Sequence, residues 1–318
     1  MTVLFTISNI TEKQETHLKA RFPNQNFVFL KDKKLIPQYI EEAEIFVTYG
    51  KDVTEELLEQ AKNLKWIQVL AAGVDPLPFD AIKKNNILVT NVRGIHKIPM
   101  SEYAISMILS VYRKERDLLL YQLDKHWNRT LSFGEVTGKT MIVLGTGSIG
   151  QEVARLAKAF RMKTIGVSRS GRDKEHFDEV YSVTHLHSVL DKGDFIVSVL
   201  PSTKETRYLL KDEHFDLMRD DAIFLNMGRG DLVKTETLVR AVQEEKIGHL
   251  ILDVFEEEPL AADSPLWKNE RVTITPHIAA ISDRYLERAL GIFKENMNLY
   301  EDRQLEEMLN VIDLDRGY

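Results

Sequence analysis

Cysteine is absent from this sequence of 318 residues. Disulfide bonds, thiolate metal sites and a cysteine nucleophile are therefore excluded. No apolar run approaches the roughly 20 residues that a membrane-spanning helix needs. The N-terminal segment MTVLFTISN has neither a basic region nor a small-residue cleavage site, so it predicts a strand rather than a signal peptide. From these absences we expect a cytoplasmic protein.

Positive charge is not in excess either. The chain has 42 Lys and Arg against 49 Asp and Glu, which gives a formal net charge of −7. A net-acidic chain gives no reason to expect nucleic acid or an anionic membrane as the main partner. We expect neither as a partner.

Proline-rich linkers, low-complexity tracts and short repeats are absent as well, while the length favours about two domains. Short apolar runs alternate with amphipathic stretches, which is typical of an α/β protein with parallel sheets. One series of candidate strands precedes residue 91: VLFTIS, NFVFL, EIFVTY, KWIQVL and ILVT. A second series begins near residue 139: KTMIVLG, KTIGVS, DFIVSVL, AIFLNM, LILDVF and RVTITP.

Two long helices are expected to join these units. One begins near Met100 in MSEYAISMILSVYRKERDLLLYQL, and the other follows Ser282, with apolar residues at helical spacing that core packing explains. If the second helix packs back on the first unit, residues 1–97 and 283–318 form one domain and 98–282 the other. We then expect a ligand in the cleft between two doubly wound domains.

A glycine-rich turn marks a nucleotide site in the second series. Gly145, Gly147 and Gly150 follow the apolar run MIVLG and precede a segment with one apolar helical face. This strand–turn–helix context is what a dinucleotide-binding turn requires. Gly145 permits the tight turn, Gly147 lets the backbone approach the pyrophosphate, and Gly150 allows close helix–strand contact. The amides of Ser148 and Ile149 at the helix N-terminus are expected to face the phosphates.

The next strand, KTIGVS, ends where the NAD version of this fold places an acidic residue on the ribose 2′-hydroxyl. Here the loop offers hydroxyls and cations instead, at Ser168, Arg169, Ser170 and Arg172. Arg binds a 2′-phosphate by charge-assisted hydrogen bonds, so the loop predicts a preference for NADP(H), with NAD(H) as the other option. The alternative is that both arginines are solvated loop residues.

Three polar residues follow later strands: Arg229 in AIFLNMGRG, Glu258 in LILDVFEEEPL and His277 in VTITPHIAA. Taken singly, each has an ordinary explanation as a turn, surface or capped residue. Together they supply what hydride transfer to a 2-oxo acid needs. The Arg fork binds the carboxylate and polarises the carbonyl, and His exchanges a proton with the alkoxide. A neighbouring carboxylate favours the imidazolium.

The sequence lacks the motifs of several other catalytic and metal-binding classes. The sequence contains no His-Glu-x-x-His motif, no Gly-x-Ser-x-Gly motif and no Gly-x-x-x-x-Gly-Lys-Ser/Thr phosphate loop. His185 and His187 alternate in a strand-like stretch, and we expect them to be surface residues without further ligands nearby. No metal is expected.

The order GTGSIG, NMGRG, LDVFEEEPL and TPHIAA resembles the D-isomer-specific 2-hydroxyacid dehydrogenase family over essentially the whole chain. IHKIPMSEYA resembles the glyoxylate/hydroxypyruvate reductase branch more than the phosphoglycerate branch. The resemblance implies that Arg229, Glu258 and His277 are catalytic. It also implies a Rossmann cofactor domain, a flavodoxin-like substrate domain and a homodimer built mainly through the cofactor domain.

The same resemblance implies further contacts. LAAGVD is similar to the loop whose amides hold the substrate carboxylate, which implicates Ala72, Gly73 and Val74, together with Arg229. SVLPSTKETRYLL is similar to the segment that borders the adenosine and ribose. The additional cofactor contacts expected from the family segments are Leu200, Pro201, Thr206, Met227, Gly228 and Asp253.

The favoured activity is hydride transfer between NADP(H) and a small 2-oxo acid or D-2-hydroxy acid, such as glyoxylate or hydroxypyruvate. One alternative is a dinucleotide-sensing binding protein of the same fold without significant turnover, which has no need of an Arg–Glu–His set. Another keeps the fold and cofactor but acts on formate or phosphite. The substrate side chain depends on pocket shape, for which His96, Met100 and Trp127 are candidate lining residues.

Overall fold

The computed structural model describes residues 1–74 and 76–314. Within them the β-strands are β1 Thr2–Phe5, β2 Asn26–Phe29, β3 Ile45–Thr48, β4 Trp66–Val69, β5 Leu88–Thr90, β6 Thr140–Leu144, β7 Lys163–Ser168, β8 Glu179–Ser182, β9 Phe195–Ser198, β10 Ile223–Asn226, β11 His249–Leu252 and β12 Val272–Ile274. The α-helices are α1 Glu12–Arg21, α2 Ile36–Tyr39, α3 Glu55–Gln60, α4 Phe79–Lys84, α5 Lys97–Tyr112, α6 Glu115–Leu123, α7 Ser148–Ala159, α8 Asp212–Leu217, α9 Thr235–Gln243 and α10 Tyr285–Glu301. Short 3-10 helices cover Lys33–Leu35, Ile40–Glu42, Val183–Ser188, Leu190–Lys192, Gly230–Leu232, Pro265–Lys268 and Leu305–Glu307.

The chain divides into two compact units. The N-terminal unit comprises Met1–Ile95 together with the residues from Ser282 onwards, and the cofactor unit comprises His96–Ile281. The sequence boundaries were expected at 97/98 and 282/283.

The N-terminal unit contains a five-stranded parallel sheet in the order β2-β1-β3-β4-β5. This 2-1-3-4-5 order is the flavodoxin-like one. Both faces of the sheet are buried in apolar clusters, as a parallel sheet requires. Helix α10 covers one face, where Phe293 packs edge-on against Phe5 and stacks on Trp66 with ring centroids 5.7 Å apart.

The cofactor unit contains a seven-stranded parallel sheet in the order β12-β11-β10-β9-β6-β7-β8. Counted along this unit, the order is 7-6-5-4-1-2-3, which contains the Rossmann arrangement with its crossover between β6 and β9. The predicted fold class of two doubly wound parallel-sheet domains is therefore confirmed.

Three local features differ from expectation. The helix predicted from Met100 is two helices, α5 and α6, because Lys114 adopts a left-handed conformation at φ 54°. Strand β8, with the sequence EVYS, was not predicted, since it is only half-buried at the sheet edge. The stretch with His185 and His187 is a 3-10 helix rather than a strand. Among the described residues, none of the helices has both the length and the apolar character to span a membrane.

Candidate active site

The glycine-rich turn joins β6 to α7 with the predicted geometry. Gly145 has φ 106°, which favours glycine. A Cβ on Gly150 would lie 1.9 Å from the carbonyl oxygen of Gly145, so helix and turn approach as closely as only glycine allows. A Cβ on Gly147 would meet nothing within 4 Å, and no side chain caps the helix. The uncapped amides of the first turn, at Ser148 and Ile149, therefore suit a pyrophosphate.

The Ser168–Arg172 loop follows β7 and is folded by its own hydroxyl groups. Ser168 Oγ accepts a hydrogen bond from the Gly171 amide at 3.2 Å. Ser182 Oγ donates to the carbonyl of Arg169 at 3.3 Å. The side chains of Arg169 and Arg172 are exposed, and among the described residues no carboxylate pairs with them. The loop thus presents two guanidinium groups to solvent.

The segment after β9 is folded by the hydroxyl group of Thr206. Thr206 Oγ1 donates to the carbonyl of Pro201 at 2.6 Å and accepts the amide of Thr203 at 2.8 Å, which closes a compact turn. Hydrogen bonds from Thr203 and the backbone lower the pKa of Glu205, and the nearby Arg169 guanidinium lowers it further. The Arg169 charge therefore acts on the second segment predicted to border the ribose.

Arg229, Glu258 and His277 follow β10, β11 and β12, which are adjacent strands whose carboxyl ends share one sheet edge. His277 Nδ1 lies 2.8 Å from Glu258 Oε2, and Glu258 Oε1 accepts the amide of Phe255 at 3.1 Å. Since Nδ1 is engaged, Nε2 is the nitrogen of His277 left to meet a substrate. The pair is accessible, because the side chains are 49% and 36% exposed.

Asp253 holds the segment that carries His277. The Asp253 carboxylate is buried and accepts hydrogen bonds from the amides of Ile278 and Ala279 at 2.8 and 3.0 Å. Its carbonyl accepts the amide of His277 at 2.9 Å, where the backbone is left-handed at φ 55°. Asp253 was expected to contact the cofactor. That stays a prediction, and the contacts seen are those of a brace for His277.

A buried hydroxyl chain extends this brace to α5. Thr275 Oγ1 donates to Asp253 Oδ1 at 2.5 Å, so the 2.7 Å contact between Thr275 and Tyr103 has the Tyr103 hydroxyl as donor. Burial, together with the Asp253 charge, raises the pKa of Tyr103 to about 12. Tyr103 therefore stays protonated and keeps this hydrogen-bond direction.

The Met227–Arg229 loop is anchored by Asn226. The buried Asn226 side chain donates to the carbonyl of Arg229 at 3.0 Å and accepts the amide of Gly228 at 3.2 Å. One Arg229 nitrogen donates to the carbonyl of Gly228 at 2.8 Å, which uses one of its five N–H donors. Burial lowers the pKa of His96, and the Arg229 guanidinium lowers it further, so a neutral imidazole lies near this arginine.

The Ala72–Val74 segment, called here the substrate loop, follows β4 in the N-terminal unit. The carbonyls of Leu70, Ala71 and Ala72 all accept hydrogen bonds from this unit. Over residues 1–74 and 76–314, by contrast, the amides of Ala72, Gly73 and Val74 donate to no protein group. Backbone amides without protein partners are suited to an anion.

Other sequence candidates lie elsewhere. Trp127 is 89% exposed, whereas Met100 is buried in the core of the cofactor unit. His187 is exposed as expected, but the expectation of no ligands nearby was wrong, since Glu213 and His214 offer atoms within 4.8 Å. His214 Nδ1 accepts the amide of Lys211 at 3.1 Å. The neutral ring therefore carries its proton on Nε2 and has no lone pair left for a metal.

Sequence reasoning missed the side chains that hold these segments: Asn91, Tyr103, Asn226, Thr275 and Tyr285. Asn226, Thr275 and Tyr103 lie within the quoted segments NMGRG, TPHIAA and IHKIPMSEYA, but those segments do not show which groups they bind. No local motif marks Asn91 or Tyr285, and Tyr285 binds the Leu70 carbonyl, 215 positions away.

Comparison with known proteins identifies a family for this chain. A family model described as "D-isomer specific 2-hydroxyacid dehydrogenase, NAD binding domain" matches residues 105–279. A glyoxylate reductase of Thermofilum pendens is 33% identical over 251 residues, which are 77% of this chain and 74% of that protein.

Solved structures agree over the full length. A D-isomer-specific 2-hydroxyacid dehydrogenase family protein of Aeromonas salmonicida is 37% identical, with a TM-score of 0.89 over 99% of both chains. An NADPH-dependent glyoxylate/hydroxypyruvate reductase of Sinorhizobium meliloti, in complex with NADP and sulfate, is 28% identical. Its TM-score is 0.82 over 100% of this chain and 99% of that one.

Proposed function

Because the chain belongs to the D-isomer-specific 2-hydroxyacid dehydrogenases, as its motifs predicted, we propose that it reduces a small 2-oxo acid such as glyoxylate or hydroxypyruvate with NADP(H). The contact that carries this proposal is the 2.8 Å pair of His277 Nδ1 and Glu258, which commits Nε2 to the substrate. When bound, the nicotinamide supplies or accepts the hydride.

The proton is assigned to His277. In reduction, Nε2 gives a proton to the oxygen of the former carbonyl, and in oxidation it takes that proton back. The Glu258 carboxylate stabilises the imidazolium and fixes the ring orientation through Nδ1. Asp253 holds the backbone on either side of His277, so the ring is set before the substrate arrives.

The substrate carboxylate is assigned to cationic and backbone donors. Arg229 provides a planar fork that matches a carboxylate and polarises the neighbouring carbonyl. The amides of Ala72, Gly73 and Val74, which donate to no group of residues 1–74 and 76–314, provide further donors to an anion. A glyoxylate reductase is among the relatives, which supports a substrate with a small side chain.

The test is a panel of 2-oxo acids with NADPH and NADH, followed by absorbance of the reduced nicotinamide. Steady turnover of at least one small 2-oxo acid is expected. Tight dinucleotide binding without turnover would instead favour a sensing protein, and turnover of formate or phosphite alone would replace the substrate class.

The NADP(H) preference is assigned to Arg169, with help from Ser168, Ser170 and Arg172. The exposed Arg169 guanidinium lies on the loop after β7, where other members of the fold hold the ribose 2′ position. An NADPH-dependent reductase with NADP bound is among the similar structures, which supports the same preference here.

We also assign a homodimer to the cofactor unit. Helix α6 leaves Leu119, Leu120 and Leu123 between 50% and 69% exposed, and Trp127 follows at 89%. Such an apolar surface on one helix is typical of a subunit interface. Light scattering should give twice the chain mass for the wild type and the single chain mass for Leu119→Glu/Leu123→Glu. Leu217→Glu, at a 38% exposed leucine of α8, is the control.

A further inference from the structure

Two side chains from distant parts of the N-terminal unit hold backbone carbonyls in and just before the substrate loop. Tyr285 Oη, at the start of α10, donates to the carbonyl of Leu70 at 2.8 Å. Asn91 Nδ2, just after β5, donates to the carbonyl of Ala72 at 2.7 Å. Between them, the Val92 amide donates to the carbonyl of Ala71 at 3.4 Å.

These bonds determine where the amides point. In a planar trans peptide the C=O and the following N–H point in opposite directions. The bond from Asn91 to the Ala72 carbonyl therefore turns the Gly73 amide to the opposite side, and the bond from Val92 to the Ala71 carbonyl does the same for the Ala72 amide. The bond from Tyr285 to the Leu70 carbonyl holds the preceding peptide, whose amide belongs to Ala71. The amides of Ala72, Gly73 and Val74 are the groups that donate to no protein atom in the described chain.

Both donors are themselves locked in place. Asn91 is 3% exposed, and its Oδ1 accepts the amide of Arg93 at 3.0 Å. Its main chain pairs with Asn310 in both directions, at 3.2 and 3.3 Å. Burial, with a smaller contribution from Tyr49, raises the pKa of Tyr285 to about 12, so its hydroxyl remains a donor at any working pH.

We propose that Asn91 and Tyr285 are positioning residues for the substrate carboxylate. Asn91 holds the Ala72 carbonyl and so orients the Gly73 amide before the anion binds. Tyr285 holds the Leu70 carbonyl and so anchors the backbone that leads into the loop. This role rests on the proposed function, and in it the two residues act through the backbone that they hold.

The experiment uses the full-length protein with glyoxylate, or with the 2-oxo acid that the wild type reduces best, and oxamate as a non-reacting carboxylate. Tyr285→Phe removes only the hydroxyl. Asn91→Asp keeps the acceptor for Arg93 and removes the donor to Ala72. Tyr300→Phe is the matched control, because its hydroxyl lies on the same helix and donates to Glu44 at 3.0 Å, not to the loop.

For Tyr285→Phe we expect the KM of the 2-oxo acid and the Ki of oxamate to rise together by about 2- to 12-fold, which corresponds to one neutral hydrogen bond. Asn91→Asp should raise both by about 10-fold or more, since it also places a negative charge against a carbonyl. The kcat and the Kd of NADPH should stay within about 2-fold of wild type. Tyr300→Phe should leave KM and Ki unchanged.

Three results separate the possibilities. An active wild type with KM and Ki unchanged in both variants overturns the positioning role, as does a fall in kcat alone. If one of the two variants fails to fold, the KM and Ki of the other variant decide whether the positioning role holds, by the same criteria. A wild type that reduces no 2-oxo acid overturns the proposed function instead.

Discussion

His277 and Glu258 meet at 2.8 Å between Nδ1 and Oε2, although they follow different strands. The contact leaves Nε2 as the nitrogen that can meet a substrate, and it places a carboxylate beside the ring to which we assign the proton transfer. The two residues can be tested separately, because the segment that carries His277 is braced by Asp253 and not by Glu258.

His277→Ala should lower kcat by at least about 100-fold, as loss of a general acid does, while the Kd of NADPH stays within about 2-fold. His277→Asn is the second variant, because Asn tolerates the left-handed conformation at φ 55° better than Ala. His185→Ala, at an exposed histidine of the same unit, is the control. Near-normal turnover in either His277 variant would refute the assignment.

Glu258→Gln should lower kcat by about 10- to 150-fold, the cost of a hydrogen bond to a charged group. Glutamine retains the shape and an acceptor for the Phe255 amide, so the loss reports the negative charge beside His277. Glu257→Gln removes the same charge one position away, at an exposed side chain, and should have little effect. Equal rates for the two variants would mean that Glu258 is an ordinary surface carboxylate.

Arg229→Lys should reduce kcat/KM nearly as much as Arg229→Ala, because an ammonium group cannot reproduce the planar fork. The comparison is Arg240→Lys, whose exposed ion pair with Asp212 should tolerate the change. Steady-state kinetics on one 2-oxo acid measures all three. If Lys restored most of the activity at position 229, Arg229 would act only as a positive charge.

Most strands were predictable because short apolar runs carry their own signal. The three candidate catalytic residues could be singled out because each follows such a run. The break between α5 and α6 could not be predicted, because its left-handed residue is Lys114 and no glycine or proline marks the position. Asn91 and Tyr285 were missed for a different reason. Their hydrogen bonds to the substrate loop depend on how β5 and α10 pack, which no spacing in the sequence encodes.

The free energy of unfolding should fall as the pH is lowered, because of His249, which is not part of the site. Burial, with smaller effects from Lys114 and Arg116, lowers the pKa of His249 from 6.5 to about 4. Between these two pH values the folded state therefore binds fewer protons than the unfolded state. The contribution of His249 to the free energy of unfolding is full above about pH 6.5 and declines towards pH 4. At about pH 5 the loss is about 2 kcal/mol.

His249→Gln should reduce the fall in unfolding free energy between about pH 7 and pH 5 by that amount, measured by urea unfolding. Glutamine retains a partner for Thr273, which His249 Nε2 contacts at 2.8 Å. His185→Gln changes an exposed histidine and should leave the pH dependence as in wild type. An equally steep pH dependence in His249→Gln would show that this residue is not the group responsible.

Arg169→Asp should reverse the cofactor preference. The wild type is expected to show a higher kcat/KM with NADPH than with NADH, because the guanidinium pairs with the 2′-phosphate. Losing one such contact should cost roughly 1.5–3 kcal/mol, which lowers kcat/KM with NADPH by about 10- to 150-fold. An aspartate can accept a hydrogen bond from the free 2′-hydroxyl of NADH. Lys268→Asp makes the same change of charge near β12, at the opposite edge of the sheet from β7 and β8, and should leave the ratio unmoved. A wild type that prefers NADH, or an Arg169→Asp variant with the wild-type ratio, would mean that both arginines of this loop are merely solvated.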